Sequence, residues 1–326
     1  MVYLELVVGL ALLLAGGEFL VRGAVAVAKR LGVSPLMIGL TLVGFGTSTP
    51  ELMASVQAAL AGSPGIAVGN VVGSNIANIL LILGLTAVIA AVPVAQNAFK
   101  RDGAVLVLSA LLCCGFVLLG HFDRITGAVF VAALVGYIVF TYRAERAHVE
   151  KGEPLDHDVA MDDSPPPALA LSLLMALGGL AAVMYGATLL VEGAILLAKG
   201  FGVSDEIIGL TLVAVGTSLP ELVTSIMAAI RKQPDVAFGN IVGSNIYNIL
   251  GILGVTALVQ PIDAPPQIAA FDTWYMLAVT LLLVVFSVTA AKIKRWEGMV
   301  FVGLYVLYLG FQINPTLRGL VGLDAA

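Results

Sequence analysis

The stretch 46-GTSTPELMAS-55 returns as 216-GTSLPELVTS-225, and each copy is followed one helix later by GN-x-V-GSNI-x-NIL, at Gly69 and again at Gly239. Shifted by 170 positions, residues 32–86 overlay residues 202–256 without a gap, and 34 of the 55 pairs are identical. Shared apolar composition alone does not give such a match, so the chain is an internal duplication. A weaker match continues upstream, where LVRGA at Leu20 faces LVEGA at Leu190.

The surroundings of these polar phrases are strongly apolar. Of 326 residues 60% are hydrophobic and 11% charged, with a mean hydropathy of +1.04. Soluble domains carry about 25% charged residues, so an ordinary soluble fold is excluded. Apolar runs long enough to cross a bilayer, about 20 residues each, are expected at roughly 2–28, 35–61, 66–91, 102–120, 124–142, 168–193, 205–230, 236–259, 271–291 and 297–313. The run from Val2 is read as a first span and not as a cleaved leader.

Between the fifth and sixth runs lies 143-RAERAHVEKGEPLDHDVAMDDSPPP-167. Its acidic residues match no EF-hand spacing, and it reads as a solvated tether. The chain therefore divides into a five-helix repeat over 1–142 (motif 34–86), an acidic linker over 143–167, and a second five-helix repeat over 168–326 (motif 204–256). With the N-terminus outside, thirteen of the sixteen Lys and Arg residues fall in cytoplasmic segments, leaving Arg124, Lys199 and Arg318 outside. That bias puts both termini outside and the linker in the cytoplasm.

Five spans per repeat is odd, so the second copy enters the membrane from the opposite side. The expected fold is an all-α polytopic membrane protein of ten transmembrane helices in two inverted-topology repeats. This architecture suits transporters that bind substrate near the midplane, where interrupted helices of both repeats meet.

Glu51 and Glu221 fall mid-span, where an ionisable side chain costs about 2.5–3.5 kcal/mol even on lenient insertion scales. Thr47 and Ser48 precede Glu51 by four and three residues and share its helix face, as Thr217 and Ser218 do for Glu221. On the following helix Ser74 and Asn78 stand four apart, as do Ser244 and Asn248. Pro50 and Pro220 free the carbonyls of Gly46 and Gly216 and should kink the helices there. Gly44, Gly46, Ala214 and Gly216 are small enough for an ion to approach that backbone. For Asn70, Asn75, Asn240 and Asn245, helix packing is as good a reading as ligation.

All candidate donors are oxygens, which suits hard cations, and a cage of many flexible oxygens favours Ca²⁺ over Mg²⁺. The three histidines fall in or beside loops, and the adjacent Cys113 and Cys114 form no metal site. No basic cluster points to nucleic acid. Neither HExxH nor GxSxG is present, so no enzyme chemistry and no cofactor are expected.

The paired GTS-x-PE and GN-x-V-GSNI-x-N segments resemble the two alpha repeats of the cation/calcium exchanger superfamily, in its sodium/calcium exchanger branch. The resemblance is close over 34–86 and 204–256, and elsewhere rests on helix count and topology. It implies a prokaryotic-type antiporter of the cell membrane that extrudes Ca²⁺ using the inward Na⁺ gradient. It further implies that Glu51 and Glu221 are shared by both ions, with Thr47, Ser48, Thr217 and Ser218 adding oxygens, and that Ser74, Ser244, Asn78 and Asn248 complete the Na⁺ positions. The first and sixth helices would slide across a core of the other eight. Relatives that couple to protons carry GNA-x-E in place of GTS-x-PE. Proton coupling is thus the nearest alternative, and a cation channel is a more distant one.

Overall fold

The computed structural model describes residues 2–150, 167–201 and 216–313. Eleven helices account for nearly all of them: α1 (Val2–Leu31), α2 (Pro35–Thr47), α3 (Thr49–Leu60), α4 (Pro64–Ile89), α5 (Gln96–Leu119), α6 (Arg124–Glu150), α7 (Leu169–Gly200), α8 (Leu219–Ile230), α9 (Pro234–Val259), α10 (Ile268–Ala290) and α11 (Arg295–Ile313). Seven of the described helices are long and apolar enough to cross a membrane. α2 and α3 are two halves of one interrupted span, and α8 is the second half of its counterpart. Residues 202–215, including Ala214, lie outside the described residues, as do 151–166 and 314–326.

The packing repeats with the sequence. α4 and α9 cross at the centre, buried along most of their length, whereas α1 and α7 lie against each other at the periphery. α3 packs on α4 and α8 on α9; α11 covers the second half of α4 and α6 that of α9. Two short ribbons tie the ends: β1 (Val92–Pro93) with β4 (Lys292–Ile293), and β2 (His121–Phe122) with β3 (Ile262–Asp263). A shift of 170 or 171 residues exchanges one ribbon for the other, as a two-fold axis relating the repeats requires. The apolar core fills the space between, led by Ile76, Ile79, Leu83, Ile252 and Leu253.

Close backbone approach explains the glycine at 243. A Cβ there would lie 2.2 Å from the Leu40 carbonyl oxygen, so α9 meets α2 backbone to backbone. The α1–α7 contact is built the same way, since a Cβ on Gly23 would lie 2.3 Å from the Ala176 nitrogen.

Two expectations need correction. The chain stays helical through Glu150, eight residues past the expected end of the fifth span, and Glu145 is buried rather than solvated. Its carboxylate accepts from the Ser34 amide at 2.8 Å and the Ser34 hydroxyl at 2.7 Å, fixing the N-cap of α2, whose Oγ in turn accepts from the Met37 amide. The second span also breaks at Ser48 (φ −83°, ψ 9°), two residues beyond Gly46, with Pro50 in the first turn of the new helix. Proline is tolerated there because first-turn amides have no intrahelical partner, so the sequence restarts the helix where it cannot continue it. Ser218 repeats the break (φ −90°, ψ 5°).

Candidate functional site

The two breaks place the first turns of α3 and α8 inside the protein, each carrying its glutamate. Glu51 and Glu221 are each 1% exposed. The helix N-termini direct unpaired amides and the positive ends of their dipoles toward this region, which eases the presence of carboxylates.

The repeats exchange hydrogen bonds. Ser48 Oγ donates to Glu221 Oε1 at 2.7 Å, and Ser218 Oγ lies 3.5 Å from Glu51 Oε1. Each glutamate's own helix is pinned by an asparagine of the next one. Asn70 Nδ2 donates to the Glu51 carbonyl (3.1 Å) and Ser55 Oγ (2.9 Å); Asn240 Nδ2 donates to the Glu221 carbonyl (3.3 Å) and Ser225 Oγ (2.9 Å). These asparagines act as braces, the packing reading left open by the sequence. Their register with the glutamates, nineteen residues away in both copies, was the available signal.

Among the described residues eleven buried side-chain oxygens lack a hydrogen-bond partner, and four of them belong to the paired motif glutamates and asparagines. Glu51 Oε2, Glu221 Oε2, Asn78 Oδ1 and Asn248 Oδ1 are buried and have no hydrogen-bond partner. Buried polar atoms are ordinarily satisfied, and these four are all acceptors carried by residues recurring at an interval of 170. Asn78 and Asn248 also lie in π-helical turns, Asn78–Leu83 and Tyr247–Leu253, which the sequence did not foreshadow. Such turns gather at functional sites because they redirect side chains and strain the backbone ladder.

The remaining candidates divide. Ser244 Oγ donates to the Gly44 carbonyl at 3.1 Å, and Thr47 Oγ1 contacts the Val43 carbonyl (3.0 Å) and Asn240 Oδ1 (3.2 Å). A Cβ on Gly44 would lie 3.1 Å from both the Asn240 oxygen and the Ser244 nitrogen. Gly44 therefore admits the α9 backbone, and its carbonyl already has a donor. Thr217 is half-buried. Ser74 sits in a cavity of about 330 Å³ with Asn70, Gly73, Asp272, Tyr308 and Gln312, while its counterpart Ser244 is sealed.

This arrangement offers two carboxylates, amide and hydroxyl oxygens, and neither nitrogen nor sulfur. Among the described residues no group of three or more His, Cys, Asp or Glu gathers, so nothing favours a soft or transition metal.

The family model of the sodium/calcium exchanger protein matches residues 1–143 and 171–314. The chain is 35% identical over 339 residues to the sodium/calcium exchanger MaX1 of Methanosarcina acetivorans, covering 94% of this chain and 97% of that protein. It is 32% identical over 317 residues to the inner membrane protein YrbG of Escherichia coli, covering 96% and 97%. Among solved structures, the sodium-calcium exchanger NCX_Mj soaked with 10 mM Na⁺ superposes with a TM-score of 0.81 at 34% identity, covering 95% of this chain and 99% of that one. Duplicated motif, broken helices and these likenesses agree: the chain belongs to the sodium/calcium exchanger protein family.

Proposed function

We propose that the chain is an antiporter that exchanges Ca²⁺ for Na⁺ at a single site between α3, α4, α8 and α9, and that it transforms neither ion chemically. The observation that carries this reading is the set of four orphaned, buried acceptor oxygens, two of them on carboxylates from symmetry-related half-helices. A hard cation satisfies such a set as no protein donor here does.

Glu51 and Glu221 are the shared ligands of both ions. Asn78 and Asn248 offer amide oxygens, and Ser48, Ser218, Thr47, Thr217, Ser74 and Ser244 surround them with hydroxyls. Gly44 flanks the first break as a small residue, and Ala214 is its counterpart in the sequence. Two carboxylates balance one Ca²⁺ or two Na⁺, so the ions compete for the same charge. An empty site leaves both carboxylates buried without a counter-charge, which disfavours crossing unloaded and couples the two fluxes.

The cavity at Ser74 gives the first motif an approach that the sealed Ser244 lacks, as alternating access requires of one state. With the termini outside, that cavity faces outward. On this reading the linker is cytoplasmic, as the Lys and Arg bias supports, and the membrane is a prokaryotic cell membrane, as the inner-membrane name of a relative supports. The two five-helix repeats act as one unit, with 151–166 as their tether.

Thermal unfolding with added ions tests the site. Ca²⁺ should raise the melting temperature, Na⁺ should reduce that increment competitively, and Glu51→Gln and Glu221→Gln should abolish it. Undiminished Ca²⁺ stabilisation in both variants would place the ion elsewhere.

A further inference from the structure

A groove of about 590 Å³ lies away from the ion site, on the lateral face between α5 and α10. Its walls are Phe99, Gly103, Val107 and Leu111 on one side and Leu281, Val284 and Val288 on the other. Every one is apolar. The single charged residue lining it is Lys100, at one end and exposed. The next charges along α5 do not cancel it: Asp102 is buried and takes hydrogen bonds from Arg101 (2.7 Å) and Tyr137 (3.0 Å) on the core side.

Comparison of the two repeats sharpens the case. The 170-residue register carries through this region, since Asp102 pairs with Asp272 and each accepts from a tyrosine, Tyr137 or Tyr308. In that register Lys100, Gly103 and Ala104 correspond to Ala270, Thr273 and Trp274. The second repeat thus has a large indole, half-exposed, where the first has the methyl of Ala104, and no cation where the first has Lys100. The small residue and the neighbouring lysine therefore occur in the first repeat and not at the matched positions of the second.

We propose that this groove seats one acyl chain of an anionic phospholipid, with the phosphate on Lys100. Dimensions support it. From Lys100 to Leu111 is eleven residues, about 16 Å along a helix, close to half the roughly 30 Å hydrocarbon core and so to the depth of one leaflet. Charge supports it as well, because Lys292 on β4 is exposed at the same end of the helix pair, where β4 pairs with β1 ahead of α5. A zwitterionic lipid has the same chains but lacks net charge to match the lysine.

Native mass spectrometry of the full chain, with phosphatidylglycerol and phosphatidylcholine of identical chains, tests this assignment. Phosphatidylglycerol should be preferred about fivefold, the ratio equivalent to about 1 kcal/mol for one basic residue near an anionic surface. Lys100→Gln should bring the preference close to unity, and Ala104→Trp, copying the second repeat, should remove one bound lipid of either kind. Equal binding of the two lipids by the wild type, a preference retained in Lys100→Gln, or an unchanged lipid count in folded Ala104→Trp would overturn it. Lys100 is exposed, so its variant carries the test even if the tryptophan prevents folding.

Discussion

Replacing Glu221 by glutamine keeps the shape of the side chain and removes its charge. Ser48 Oγ, now 2.7 Å from Oε1, can still donate to the amide oxygen, so the break between α2 and α3 keeps its cross-repeat tie. The electrostatic change is large and unequal for the two ions. At an effective dielectric of about 20 and a contact of about 2.4 Å, one carboxylate attracts a divalent ion by roughly 14 kcal/mol and a monovalent ion by roughly 7 kcal/mol. Desolvation offsets most of this. If about a third survives, Ca²⁺ affinity falls by more than about a thousandfold and Na⁺ affinity by about fiftyfold. Glu51→Gln should behave alike, and Glu221→Asp should retain more exchange than Glu221→Gln because the charge remains. The assay is isothermal titration with each ion, paired with ⁴⁵Ca²⁺ counterflow in proteoliposomes. Ca²⁺ counterflow near the wild-type rate, or a greater loss for Na⁺ than for Ca²⁺, would refute the reasoning.

Four further outcomes follow from the same geometry. Ser48→Ala removes a 2.7 Å hydrogen bond to a buried carboxylate and should weaken Ca²⁺ binding by about tenfold, whereas Ser218→Ala, at 3.5 Å, should cost less; titration of both variants decides the order. Gly243→Ala drives a methyl into the Leu40 carbonyl and should lower stability by about 1–3 kcal/mol, while Gly115→Ala, in open space, should be neutral or stabilising by thermal unfolding. Exchange should neither require nor carry K⁺, because positions 78 and 248 are amides without charge; Asn248→Asp should shift ion preference or steepen the pH dependence of flux at fixed voltage. Deleting most of 151–166 should leave transport intact, but Glu145→Gln should impair it or destabilise the protein by weakening the Ser34 clamp.

Much of this arrangement was legible because it is written twice. Glu51 and Glu221 stand out as charges in apolar spans, and the fixed interval of 170 ties Asn78 to Asn248. What the sequence hid depends on three-dimensional neighbours. Asn70 and Asn240 brace the glutamate helices from another element, so nothing local separates them from Asn78 and Asn248. The π-helical turns after Ala77 and Ile246 widen the helix without a proline or glycine pair to announce them. Gly44 looked like an opening for an ion, yet the α9 backbone comes close to it and its carbonyl accepts from Ser244 Oγ. Glu145 looked solvated because its neighbours are charged, and its partner, Ser34, lies 111 residues away. Pro50 signalled a disturbance correctly but not its position, since a proline can restart a helix as well as bend one.

The most direct test of the account is ⁴⁵Ca²⁺ uptake into proteoliposomes of the wild-type chain under outward gradients of Na⁺, K⁺ or H⁺ at clamped voltage. Uptake driven by the Na⁺ gradient alone, and abolished in Glu51→Gln and Glu221→Gln, is the predicted result. Uptake driven equally by H⁺ in sodium-free medium, or Na⁺-driven uptake that survives both substitutions, would contradict a Na⁺/Ca²⁺ exchange site built on these two glutamates.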